Sequence, residues 1–209
     1  MYRHPARAYT DTMSSKKQGF LAHWRDEMLW GFVATLILTL IMRLGQAAGI
    51  TRIDLPLMLG TMTTPNRDRA KIYGTLIHMF NGWMLGGIYV AAFHSLRRAS
   101  LLLGALMGLI HGLFVLVVAM PLLPGAHPRM ASDFTGPQPT NALEPPGFMA
   151  INYGRRTPIV TLIAHIIYGA IIGHFYEVNH RRDRSVKDTL LRAPGSPMRD
   201  LAALGARDR

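Results

Sequence analysis

Four long apolar runs, separated by polar and proline-rich stretches, set the pattern of this chain. The first spans about 27–49, is fully apolar from Met28 to Met42 and then meets Arg43. The second covers about 72–96 and closes on Arg97 and Arg98; the third covers 101–120 and ends at Pro121. The fourth, 158–176, opens at the Thr157-Pro158 pair, a cap followed by a first-turn proline, and ends near Tyr176. At about 1.5 Å of rise per residue, roughly 20 apolar residues cross a hydrocarbon core of about 30 Å. The pattern predicts an all-α membrane protein, a four-transmembrane-helix bundle forming one membrane domain over 27–176.

The intervening segments are equally telling. The few residues around 97–100 leave room only for a tight antiparallel hairpin between the second and third runs. Loop 50–71 contains a brief apolar patch, Leu55 to Met62, too short to span and read as re-entrant or surface-lying. Loop 121–157 carries seven prolines, and so long a loop in a compact protein is usually functional or disordered. Gly19 to Trp30 reads as a short interfacial helix. Residues 1–26 form a basic leading segment and 177–209 a basic, flexible or headgroup-bound tail.

Within the second and fourth runs the chain repeats one motif, His-x3-Gly-x3-Gly-x2-Tyr: His78, Gly82, Gly86 and Tyr89, then His165, Gly169, Gly173 and Tyr176. Offsets of four, eight and eleven stay on one helical face. The third run carries Gly104, Gly108 and Gly112. Small residues four apart let helix backbones approach closely, so a GxxxG-packed bundle explains these glycines without any cofactor.

Charge adds orientation. A formal net charge of +11 would suggest nucleic acid in a soluble protein, but here Lys and Arg flank apolar runs, which points to anionic headgroups and not to nucleic acid. Fifteen Lys and Arg fall on the side of the termini and the 97–100 turn, against seven in the two long loops. The expectation is both termini cytoplasmic and loops 50–71 and 121–157 facing outward. The start of the chain lacks the apolar core of a cleavable signal, so the first run reads as an uncleaved anchor. There are no cysteines, which excludes disulfides and thiolate chemistry.

Candidate chemistry sits in one layer. Counted from the outer helix ends, His78 lies about 9 Å deep, His165 about 10 Å, His111 about 13 Å and Arg43 about 9 Å. Ionisable groups at such depth face a bundle interior. Three arrangements fit: a polar staple between helices; haem b held by two histidines, His78 and His165 with His111 as a further candidate, and Arg43 on a propionate; or a metal held by His78, His111 and His165. His78 and His165 are expected to turn into a shared space, with loop 121–157 as a lid anchored by Arg155 and Arg156. Met58, Met62, Met120, Met130 and Met149 with His127 form a weaker copper(I) candidate. No Asp or Glu lies inside any of the four runs, which argues against a carboxylate proton relay. No phosphate-binding glycine loop, HExxH or GxSxG occurs.

The stretches LPGAHPRMASDFTGPQP and EPPGFMAINYGRRTPIVTLIAHIIYG, with the matching part running from about Leu55 to Tyr176, resemble a group of bacterial multi-pass integral membrane proteins with no assigned activity. The resemblance implies a bacterial inner membrane. The GxxxG ridges on three helices and the lack of a catalytic motif give the expectation of a non-enzymatic packing or accessory subunit, homo-oligomeric or part of a larger membrane complex. A haem- or metal-binding redox protein and a small oligomeric transporter are the alternatives.

Overall fold

The computed structural model describes residues 28–131 and 143–192. The basic segment 1–26, the middle of the long loop and the end of the tail lie outside the described residues. Among those residues the fold is helical, without a strand; one isolated bridge pairs Met130 with Leu143. Among the described residues, four helices are long and apolar enough to cross a membrane.

Helix α1, Met28–Ala47, is the first of these. Its buried positions Gly31, Ala34, Thr35, Leu38, Met42 and Gly45 recur every three or four residues, while Leu29, Phe32, Leu36, Leu40 and Leu44 are exposed. That is one packed stripe and one outward apolar face. Thr35 and Thr39 satisfy their hydroxyls within the helix, donating to the Gly31 and Thr35 carbonyls at 2.7 Å each.

The Leu55–Met62 patch forms a short helix, α2, Leu55–Gly60. Asp54 caps it by accepting from the Leu57 N–H at 3.1 Å. Two small residues hold α2 against the start of α3, Arg67–Leu96: a Cβ on Gly74 would collide with the Pro56 carbonyl, and one on Gly60 with the Ala70 backbone. Asn66 caps α3 through the Arg69 N–H at 3.0 Å. The α3 helix ends on Arg97 in the left-handed region, φ 51°. Ser100 then caps α4, Leu101–Phe114, by accepting from the Leu103 N–H at 3.1 Å. These two caps make the tight turn between α3 and α4.

Pro121 does not stop the third span. The chain passes through a π-helical stretch, Val115–Ala119, and continues as α5, Met120–Ala126. A proline lacks an N–H and crowds the carbonyl four residues back; the wider π turn just before Pro121 absorbs both, and the helix runs on. The fourth span likewise runs past Tyr176. Helix α6 covers Thr157–Arg192, with its apolar part over Thr157–Asn179, so the basic tail begins as a helical extension.

Helix α6 lies against α4 along a line of glycines. A Cβ on Gly104 or Gly169 would approach the other's carbonyl oxygen to 2.1 Å, and one on Gly108 would come equally close to the His165 carbonyl, 2.1 Å away. Helix α1 meets α3 in the same manner. Gly31 and Gly86 face each other, and a Cβ on Gly82 would overlap the Thr35 side chain at 2.3 Å. At the loop end the segment that follows α1 is joined to α6 by a hydrogen bond between the Thr51 and Thr157 hydroxyls, 2.7 Å, with both residues buried.

Candidate functional site

The glycine contacts determine where the histidines go. With no side chain at Gly108 and Gly112, α4 presses on the backbone and ring of His165. The His165 and His111 rings then meet edge to face, centroids 4.8 Å apart. Tyr89 from α3 joins them, its hydroxyl 3.2 Å from His111 Nδ1. Tyr168, one turn along from His165, stacks edge-on with Tyr89 at 5.4 Å and donates its hydroxyl to the Gly82 carbonyl at 2.6 Å. One turn further along α3, a Cβ on Gly86 would come within 3.5 Å of the same hydroxyl.

His111, His165 and Tyr168 border a cavity of about 220 Å³ between the helices, at the end that carries the loops. His78, His111 and His165 all line it, with Asn81, Thr161 and Tyr168. Most of the remaining wall is aliphatic: Leu38, Met42, Ile53, Leu85 and Leu116 among others. Among the described residues, no Asp, Glu, Lys or Arg lines it. The π stretch contributes Val115, Leu116 and Ala119 to the wall, so the irregular turn before Pro121 borders the cavity it helps to shape.

The histidines differ in what they have to bond to. His165 Nδ1 lies 2.8 Å from the Thr161 carbonyl. A carbonyl only accepts, so Nδ1 carries the hydrogen, and Nε2 of the neutral ring is an acceptor. His111 shares its Nδ1 with the Tyr89 hydroxyl. His78 Nε2 is buried and has no hydrogen-bond partner, and the same holds for the Thr161 hydroxyl.

The cofactor readings fare unevenly. No three His, Asp or Glu side chains among the described residues come together in a way that could hold a metal ion, so the three-histidine metal site is not formed. For haem, two axial imidazoles at metal–nitrogen distances of roughly 2 Å leave their ring centroids about 6 Å apart, with the macrocycle between them. His111 and His165 are in direct contact, 4.8 Å apart, which leaves no room for a macrocycle between that pair; for His78 with His165 the limit is the size of the space. At about 220 Å³ the cavity also falls below the range of roughly 300–1,000 Å³ that drug-sized ligands occupy. The cavity does not fit haem b.

Arg43 is not part of the site. It is exposed and turns to Asp54 at 3.4 Å and Gln46 at 3.3 Å. The carboxylate that caps α2 thus also draws the guanidinium away from the interior. His127 has no free nitrogen: Nε2 donates to the Met58 carbonyl at 2.9 Å, and Nδ1 accepts from the Arg129 N–H at 3.1 Å. It is a buried clamp holding α2 to the end of α5, and it has no lone pair left for copper. His94 and His174 are exposed.

The end of the long loop covers part of the cavity. Ala150, fully buried, lines it from a 3₁₀ segment, Phe148–Tyr153. Met149 and Ala150 both adopt positive φ, 54° and 57°, an unfavourable conformation for residues with a Cβ. The segment is fastened by Arg52, not by Arg155 and Arg156, which are exposed. The Arg52 backbone N–H donates to the Tyr153 carbonyl at 2.7 Å, and its guanidinium reaches the Asn152 carbonyl and, at 3.3 Å, Glu144. The Tyr153 hydroxyl donates to the Glu144 carbonyl. Burial, and then the Glu144 carboxylate, push the Tyr153 phenol up to about 12 despite the opposing pull of Arg52.

Tyr168, Thr161 and Thr35 are site residues that the repeat does not single out. Helical spacing from His165 points to the first two, three residues after it and four before it. Comparison with protein-family models, with curated proteins and with solved structures finds no match.

Proposed function

We propose that the chain is a multi-pass protein of the bacterial inner membrane, both termini cytoplasmic, that binds a small membrane-soluble molecule in the histidine-lined cavity. The observation that carries this reading is the pair of unpartnered buried polar atoms on its wall, His78 Nε2 on α3 and the Thr161 hydroxyl on α6. Unsatisfied buried polar groups cost roughly 1–3 kcal/mol each, and an occupant with a polar atom would remove that cost. The charge asymmetry and the resemblance noted above support the location and orientation. The exposed leucines and isoleucines along α1, α3 and α4 suit acyl chains.

An accessory or self-associating role draws less from the glycines. Taken as GxxxG interfaces, they are spent inside one copy: Gly104 and Gly108 on α6, Gly82 and Gly86 on α1. They leave no glycine ridge free for a second copy on those faces.

The test is to purify the protein in mild detergent, extract it with organic solvent and identify small molecules by mass spectrometry. A compound enriched with wild type and lost from Ala119→Phe, which fills the cavity, is the expected result. Equal extracts from wild type and from both Ala119→Phe and Leu59→Phe would overturn the reading.

A further inference from the structure

Resting on that binding reading, we propose that the occupant is neutral, no larger than a substituted single ring, and carries a hydroxyl that bonds to His78. Size comes first. An apolar protein cavity of about 150 Å³ accommodates benzene, so about 220 Å³ here takes one ring with small substituents and excludes a macrocycle or a whole lipid.

Charge comes second. No cation or carboxylate among the described residues lines the cavity, and an ion buried without a counter-charge is strongly disfavoured. Three imidazoles could supply a charge only by protonating in the same apolar space. The occupant is therefore uncharged.

The polar atoms supply the rest. His165 and His111 each have a nitrogen already engaged, on the Thr161 carbonyl and the Tyr89 hydroxyl. His78 Nε2 and the Thr161 hydroxyl have nothing. A hydroxyl both donates and accepts, so it satisfies His78 in either tautomer and can also serve a threonine hydroxyl. A purely apolar ring would leave both atoms orphaned. Water alone would satisfy them but would leave the aliphatic remainder of the cavity poorly filled. The chemistry that matches all three constraints is a phenol-like head.

The experiment is fluorine NMR of the full chain in phosphatidylcholine nanodiscs, with 4-fluorophenol, fluorobenzene and 4-fluorobenzoate as probes. Partition into lipid is removed by subtracting the signal obtained with Ala119→Phe, and Leu59→Phe serves if that variant does not fold. The expected result is a cavity-dependent shift for 4-fluorophenol whose affinity falls about ten-fold in His78→Phe, as for the loss of one buried hydrogen bond, while fluorobenzene binds more weakly and is insensitive to His78→Phe. If fluorobenzene binds as tightly as 4-fluorophenol, or 4-fluorobenzoate more tightly, the proposed ligand class is overturned while the binding cavity stands. If no probe gives a cavity-dependent signal, the ligand class falls, and extraction then decides whether the binding reading falls with it.

Discussion

Replacing Gly104 by alanine probes what holds the bundle together. The added Cβ would sit 2.1 Å from the Gly169 carbonyl oxygen, 2.9 Å from its carbon and 3.0 Å from the Gly173 Cα. All three are backbone atoms, so no side chain can swing aside. Relief requires α4 and α6 to part by on the order of 1 Å, and a gap of that size forfeits a quarter to a half of each dispersion contact beside it. Overpacking of this kind costs about 1–3 kcal/mol. Alanine returns up to ~1 kcal/mol through its better helix propensity. Set against that gain, the net expectation is a loss of up to about 2 kcal/mol, and about 1–3 kcal/mol relative to a glycine-to-alanine change that meets no neighbour. Gly87→Ala is the control: it lies in the α3 helix, and a Cβ there meets nothing within 4 Å, so only the propensity gain remains. Reversible unfolding in mixed micelles, titrated with denaturing detergent and followed by circular dichroism, compares the two. Gly104→Ala as stable as Gly87→Ala would refute the claim that α4 and α6 are in backbone contact.

Three further outcomes are expected. Thr51→Val leaves the buried Thr157 hydroxyl without its partner at 2.7 Å and should cost about 1–3 kcal/mol in the same assay, with Thr51→Val/Thr157→Val recovering part of the loss; no recovery would mean the pair acts otherwise. Tyr153 is stabilising while protonated: its contribution is full below its ordinary value near pH 10 and is lost as pH rises through about 12. Protease cleavage within 143–153 should therefore accelerate across that window in wild type and lose this dependence in Tyr153→Phe. Because the chain has no cysteine, single cysteines at Ser132 and Ser185 should react with an impermeant maleimide from opposite faces of inverted and right-side-out vesicles; reaction from one face only would break the four-span topology.

The four long helices were legible because a span needs only length and uninterrupted apolarity, properties of consecutive residues. Their ends were less so. Pro121 looked terminal, yet a π turn costs little next to a proline and carries α4 on into α5, and the α6 helix outlasts its apolar part because polar residues such as Glu177 and Arg181 still pair one turn apart, at 2.6 Å. The repeat places His78, His165 and the glycines on single helical faces, because helical periodicity is local. It could not say which helix each stripe would meet. That α6 takes α4, and α1 takes α3, depends on shapes brought together from opposite ends of the chain. The same holds for Arg43. Its depth along α1 suggested an interior partner, but Asp54, folded back beside it by the loop, captures the charge. Sequence spacing determined the layer of histidines; only the tertiary contacts decided that two of them would touch, that a third would be left unbonded, and that the space between them would be a small apolar cavity.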